Sequence, residues 1–202
     1  MISATLKIFL LVLVLLITNA CSHQSLPERQ VKSIPPSEIP INWNARGRIA
    51  ILHPSENWHA SFVWQKNSGN YSLRFTGPLG QTQLFIEHLA KSERTDERNT
   101  LVMDNEKYVN NKSMEQLLAQ YSPIFIPLSS LQYWLFGQAN PNIPSSFKTD
   151  NAGNLRKLQQ QGWEISFKNY QEIVAQFYPS KITAQKGEHK IKVFIKSREI
   201  QE

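Results

Sequence analysis

The stretch YSLRFTGPLGQTQLFIEH, residues 71–88, decides how this chain is read. Tyr71, Leu73 and Phe75 alternate with Ser72, Arg74 and Thr76, and a second alternating run follows the turn. A period of two places one apolar face on each segment, the mark of a strand with one side buried. Between the runs stands TGPLGQ, residues 76–81. Gly77, Pro78 and Gly80 supply the fixed or unusual φ values of a tight turn. The stretch is a β-hairpin, and Leu79 stands at its apex, where a leucine gains nothing from water.

The same period recurs along the chain. Trp58, Ala60, Phe62 and Trp64 alternate with His59, Ser61, Val63 and Gln65. Trp163, Ile165 and Phe167 repeat it, as do Ile191, Val193 and Ile195. Turn signals separate these runs: Asn67-Ser-Gly-Asn, Asp104-Asn, Asn151-Ala-Gly-Asn, Gln161-Gly and Gln185-Lys-Gly-Glu. Many short strands joined by tight turns and apolar on one face predict an antiparallel sheet that curls.

The middle of the chain has a different period. Ser113 with Gln116 three residues later is a capping box, which predicts a short helix through Tyr121. A second helix is predicted over residues 127–136, with Pro127 in its first turn and Gly137 at its exit. Leu128, Leu131, Trp134 and Leu135 form its apolar stripe, suited to cover the open side of a curled sheet. The fold class is therefore mainly β: an incomplete, half-open antiparallel β-barrel with short helices covering an apolar cavity. Trp58, Phe62, Trp64, Phe75, Leu131, Trp134, Leu135 and Trp163 are the candidates to line that cavity. Each also suits plain core packing.

The N-terminus has its own signature. Lys7 is followed by an unbroken apolar run over residues 8–17, shorter than the roughly 20 residues a spanning helix needs. Residues 1–20 read as a secretory signal peptide. The chain has a single cysteine, Cys21, so no intramolecular disulfide forms. Residues 21–41 are polar and dotted with proline, as in a flexible tether, and a folded domain is expected over 42–202. The net charge of +6 favours an anionic partner, but no run of like charges forms a nucleic-acid arm. The five histidines lack metal-ligand spacing, the carboxylates form no recognisable pair, and no phosphate loop is present. No enzyme, cofactor, metal or nucleic-acid function is expected.

Two resemblances add to this reading. Ile17-Thr-Asn-Ala-Cys21 resembles the bacterial lipobox, with Ala20 and Cys21 matching and Thr18 and Asn19 departing from the usual pattern. It implies cleavage before Cys21 and acylation there. Ser22, in place of the Asp that retains such proteins in the inner membrane, implies delivery to the outer membrane. ARGRIAI (residues 45–51), ASFVWQKNSGNYSLRFTGPLGQTQL (60–84) and FIPLSSLQYWLFG (125–137) resemble the outer-membrane lipoprotein receptor family LolB. That likeness implies a half-open barrel with an acyl-chain cavity. It implies a protein, expected to be monomeric, that accepts acylated lipoproteins from the periplasmic carrier LolA and inserts them among outer-membrane phospholipids. It also assigns the protruding leucine of the turn, here Leu79 between Pro78 and Gly80, to membrane delivery. A structural or scaffolding outer-membrane lipoprotein with a filled core is the competing reading.

The mature protein is expected to begin at Cys21 with acyl chains on that residue. Several chains are needed for stable anchorage, since each buried methylene contributes only ~0.8 kcal/mol. Mass spectrometry of the protein purified from membranes checks this; a free N-terminus elsewhere, or no lipid mass, would refute it.

Overall fold

Among the described residues, eleven strands form one antiparallel sheet whose order follows two meanders joined at the domain's ends. The computed structural model describes residues 38–92, 96–104, 106–110, 113–122 and 124–201; the leader, Cys21 and most of the tether lie outside the described residues. The first meander comprises β1 (Asn42–His53), β2 (Glu56–Asn67), β3 (Asn70–Thr76), β4 (Thr82–Leu89), β5 (Arg98–Met103) and β6 (Glu106–Asn110). The chain then forms α1 (Met114–Tyr121) and α2 (Leu128–Trp134). A second meander returns through β7 (Ser145–Thr149), β8 (Leu155–Gln160), β9 (Trp163–Ile173), β10 (Gln176–Lys186) and β11 (His189–Gln201). β11 pairs with β1, so the spatial order is β6-β5-β4-β3-β2-β1-β11-β10-β9-β8-β7. β6 and β7 are the two edges, and the barrel is open between them.

The alternation seen in the sequence becomes one continuous inner face. Ile49 and Ile51 of β1, Phe62 and Trp64 of β2, and Leu73 and Phe75 of β3 are buried. So are Ile165 and Phe167 of β9 and Ile191, Val193 and Ile195 of β11, all in one apolar cluster. Both helices add to that cluster, through Met114, Leu117 and Leu118 of α1 and Leu128, Leu131 and Trp134 of α2.

The helices cover the sheet from its open side. α1 starts as expected: Ser113 Oγ accepts from Gln116 N, and Gln116 Oε1 accepts from Ser113 N. Its Tyr121 stacks on Tyr108 of β6 at 3.9 Å. α2 is shorter than the ten residues expected. Pro127 is its N-cap, and the helix ends at Trp134. Beyond it the chain tightens, with Phe136 N donating to Tyr133 O and Gly137 N to Trp134 O, the narrower turn common at helix ends. Gly137 leaves with φ +67, where a side chain would be strained.

Within the β1–β11 ladder the register slips between Arg46 and Gly47, a β-bulge. A Cβ on Gly47 would lie 2.1 Å from the Phe194 carbonyl oxygen and 2.9 Å from Phe62 Cε1. Both distances are far inside van der Waals contact, so only glycine lets the two strands meet here.

Gly47→Ala is therefore expected to lose about 2 kcal/mol or more, within or beyond the usual cost of overpacking. Urea unfolding of the variant should show a lower midpoint with an unchanged slope. A wild-type midpoint would refute the close approach.

Candidate functional site

The β3–β4 turn is braced from within. Gly77 N donates to Gln81 O at 2.9 Å and Gly80 N to Gly77 O at 3.0 Å. These bonds cross the loop, set Pro78 and Leu79 at the two corners of the turn, and leave Gly80 at φ +85. The side chain of Leu79 finds nothing to pack against and is 93% exposed. Pro78 and Gly80 beside it are exposed as well. A hydrogen-bonded loop thus holds the Leu79 side chain away from the protein.

The eight cavity candidates converge inside the sheet. Phe62, Trp64, Phe75, Leu131, Trp134, Leu135 and Trp163 are buried, and Trp58 is half-buried. Several pack edge to face: Trp58 with Phe75 at 5.1 Å and Trp134 with Trp163 at 5.9 Å, while Trp64 meets Trp43 at 5.4 Å, which in turn meets Phe136 at 5.2 Å. Such pairs gain about 0.5–1.5 kcal/mol beyond the area they bury. These rings fill much of the space that the sequence suggested as a cavity. Trp64 borders a small cavity of about 220 Å³ under α2, shared with Leu128 and Gln132.

A more apolar cleft of about 390 Å³ opens where α2 exits toward β7 and β8. Phe136, Ile143, Phe147, Leu155, Tyr170 and Phe177 contribute to its walls. Its volume lies in the range of small-molecule sites. Sequence reasoning missed this cleft. Phe177 is exposed on β10, and a large ring facing water marks an unpaired apolar surface, but that exposure is a fact of the fold that the sequence does not carry.

The α2 segment is held to the sheet by a few polar contacts. Lys66 Nζ donates to Gln132 Oε1 at 3.0 Å, and Trp134 Nε1 to Gln160 Oε1 at 3.4 Å. Gln160 in turn donates to Asn140 O and Ile143 O. Past the helix end, Arg198 donates to Leu135 O at 2.6 Å and to Pro179 O at 3.1 Å. Its guanidinium lies 5.2 Å from the ring centroids of both Phe136 and Tyr178. Arg198 is only 7% exposed, and burial lowers its pKa to about 10, against the opposing pull of Tyr178. It is still a cation at neutral pH, placed at the negative end of α2, where positive charge is favoured.

Several polar atoms at this helix–sheet seam are left over. Trp43 Nε1, Trp64 Nε1, Ser130 Oγ and Arg198 Nε are buried without a hydrogen-bond partner. Each such group costs ~1–3 kcal/mol. The contact between α2 and the sheet is thus less well satisfied than the ladders around it.

Comparison with known proteins bears on the whole domain. The family model described as outer membrane lipoprotein LolB matches residues 41–197. The protein named outer-membrane lipoprotein LolB from Francisella tularensis subsp. tularensis is 28% identical over 161 residues, covering 78% of this chain and 74% of its own. The protein of the same name from Nitrosococcus oceani is 31% identical over 142 residues, covering 70% and 68%. Among solved structures, a DUF1329 family protein from Desulfovibrio piger superposes with a TM-score of 0.57 at 8% identity, covering 81% of this chain and 87% of that one. A putative outer membrane lipoprotein-sorting protein domain from Vibrio parahaemolyticus gives 0.51 at 8% identity, covering 79% and 85%. These two likenesses are of fold.

Proposed function

Because the chain belongs to the LolB family, we propose that it is an outer-membrane lipoprotein receptor, anchored through Cys21 on the periplasmic face. It accepts acylated lipoproteins from a LolA-type carrier and passes them into the outer membrane as a monomer, without covalent chemistry. The observation that carries this reading is the braced, fully exposed Leu79 on a domain whose apolar interior is covered by short helices rather than by sheet.

Three features support acyl binding under α2. The helix has seven residues, too few to be stable away from its packing surface. Its polar contacts with the sheet leave buried donors unpaired. The apolar cleft already opens at its exit. An acyl chain entering there competes for the face of Leu131, Trp134 and Leu135, and its apolar contact replaces that of the helix. Trp58, Phe62, Trp64, Phe75 and Trp163 are the surfaces it reaches as α2 yields.

Delivery is the task of the turn. Full burial of a leucine gains ~1.5–3 kcal/mol, a tenfold to hundredfold bias toward an apolar phase. That suffices to direct the tip of a tethered domain into lipid, yet it is too little to hold the domain there. Net transfer also requires tighter binding here than on the carrier, at ~1.4 kcal/mol for each tenfold.

The mutual packing of the inner rings favours one other reading, a structural lipoprotein with a solid core. A fluorescent fatty acid distinguishes the two. With Cys21→Ala protein it is expected to bind and to shift tryptophan emission; no binding at saturating lipid would favour the solid core.

Leu79→Glu tests the turn. At an exposed site the change should alter stability by less than about 0.5 kcal/mol, while a carboxylate resists leaving water. The variant is expected to take labelled lipoprotein from the carrier normally and to release it poorly to liposomes. Normal delivery would overturn the role of Leu79.

A further inference from the structure

The outer face of the sheet carries a second feature beside the turn. A groove of about 830 Å³ runs across β1, β2, β10 and β11, and Gly77 and Pro78 of the turn form part of its wall. Three cations line it: Arg48, Lys181 and Lys192, each exposed. No carboxylate is among the described residues that line it.

Strand register explains the cluster. Arg48 of β1 faces Phe194 of β11, and Phe194 faces Lys181 of β10. Lys192 lies two residues along β11, opposite Ala50. Neighbouring strands are ~4.8 Å apart, so Arg48 and Lys181 flank Phe194 at a backbone separation of roughly 10 Å. Like charges on one exposed face repel, though at this distance salt screens much of the repulsion. An anion in the groove removes what remains. Phe194 between them is 51% exposed, so the floor of a cationic groove holds an aromatic ring. A cationic rim around an exposed ring matches a surface that is anionic outside and apolar just beneath.

We propose that this groove binds the anionic head groups of phospholipids in the target membrane. The turn and the groove then act as one contact: Leu79 enters the acyl layer, while Arg48, Lys181 and Lys192 meet the phosphates above it. The proposal rests on the reading of Leu79 as a membrane probe, and it adds the lipid class that the probe favours. It also orients the domain, with the outer face of the central strands toward the bilayer and the α2 cleft on the other side of the sheet.

The test uses mature-length Cys21→Ala protein, so that the anchor does not mask binding. Sedimentation with vesicles containing 30% phosphatidylglycerol is compared with vesicles of zwitterionic phosphatidylcholine alone. Each cation near an anionic surface contributes about a fivefold gain in binding. The triple variant Arg48→Gln, Lys181→Gln, Lys192→Gln should therefore bind anionic vesicles about a hundredfold more weakly. Its melting temperature and its uptake of lipoprotein from the carrier should match the parent. Raising the salt should weaken the parent and leave the triple variant nearly unchanged. Anionic-vesicle binding equal to that of the parent would overturn the proposal. So would reduced uptake from the carrier with vesicle binding intact, which would make an acidic protein the occupant. Leu79→Glu in the same assay separates the two readings: wild-type binding by that variant, with loss in the triple variant, would retire the leucine probe and support the groove.

Discussion

Everything in this molecule hangs on the pairing of its first strand with its last. β1 and β11 pair from Asn42 with Gln201 to Leu52 with Lys190. Without that ladder the chain is two separate meanders, each with one apolar face exposed. Closing a loop of roughly 160 residues costs about 4–5 kcal/mol of chain entropy, and the pairing must recover it. The helices depend on the same closure. They lie in sequence between the two edge strands, and they find a common floor only because β1 and β11 have joined the halves beneath them. A fold dominated by so distant a pairing is expected to form slowly.

The bulge in that ladder also decides which residues serve the interior. Ile195 faces inward, and so does Arg198, three positions on. Simple alternation would send Arg198 to water. The extra residue at the Arg46/Gly47 slip reverses the parity and turns a cation into the core, where it holds the carbonyls at the end of α2. One irregularity thus brings the strands into close contact at Gly47 and delivers the group that fixes the helix covering the sheet.

Much of this was legible in the sequence, for physical reasons. The strands with clean alternation were visible because one face is buried. The turns at Gly69, Gly153, Gly162 and Gly187 were visible because a positive φ there suits glycine. The cap of α1 was visible because Ser113 and Gln116 have no other reason to stand three apart. The β9–β10 turn was hidden. Val174 and Ala175 adopt φ 50 and 56 with neither glycine nor asparagine to signal it. β5, β6, β7 and β8 are short and mixed in pattern, so periodicity did not resolve them. Alternation named the rings that face inward, but it carries no information on whether they touch, and the structure packs many of them together. The cationic groove was invisible for a different reason: Arg48, Lys181 and Lys192 come from three strands far apart in sequence, and only the register of β1 on β11 sets them side by side.

The open edges limit how far the domain itself travels. Among the described residues, β6 and β7 end the sheet with backbone donors and acceptors that have no strand beyond them, and each carries a lysine, Lys107 and Lys148. In hydrocarbon every unpaired peptide group costs several kcal/mol, which is why only helices and closed barrels cross a bilayer. A sheet left open between β6 and β7 is barred by that gap from burying its edges in hydrocarbon. On the proposed reading the domain works as a ferry that cannot land: only the tip of a turn enters the oil, and the body stays at the water's edge.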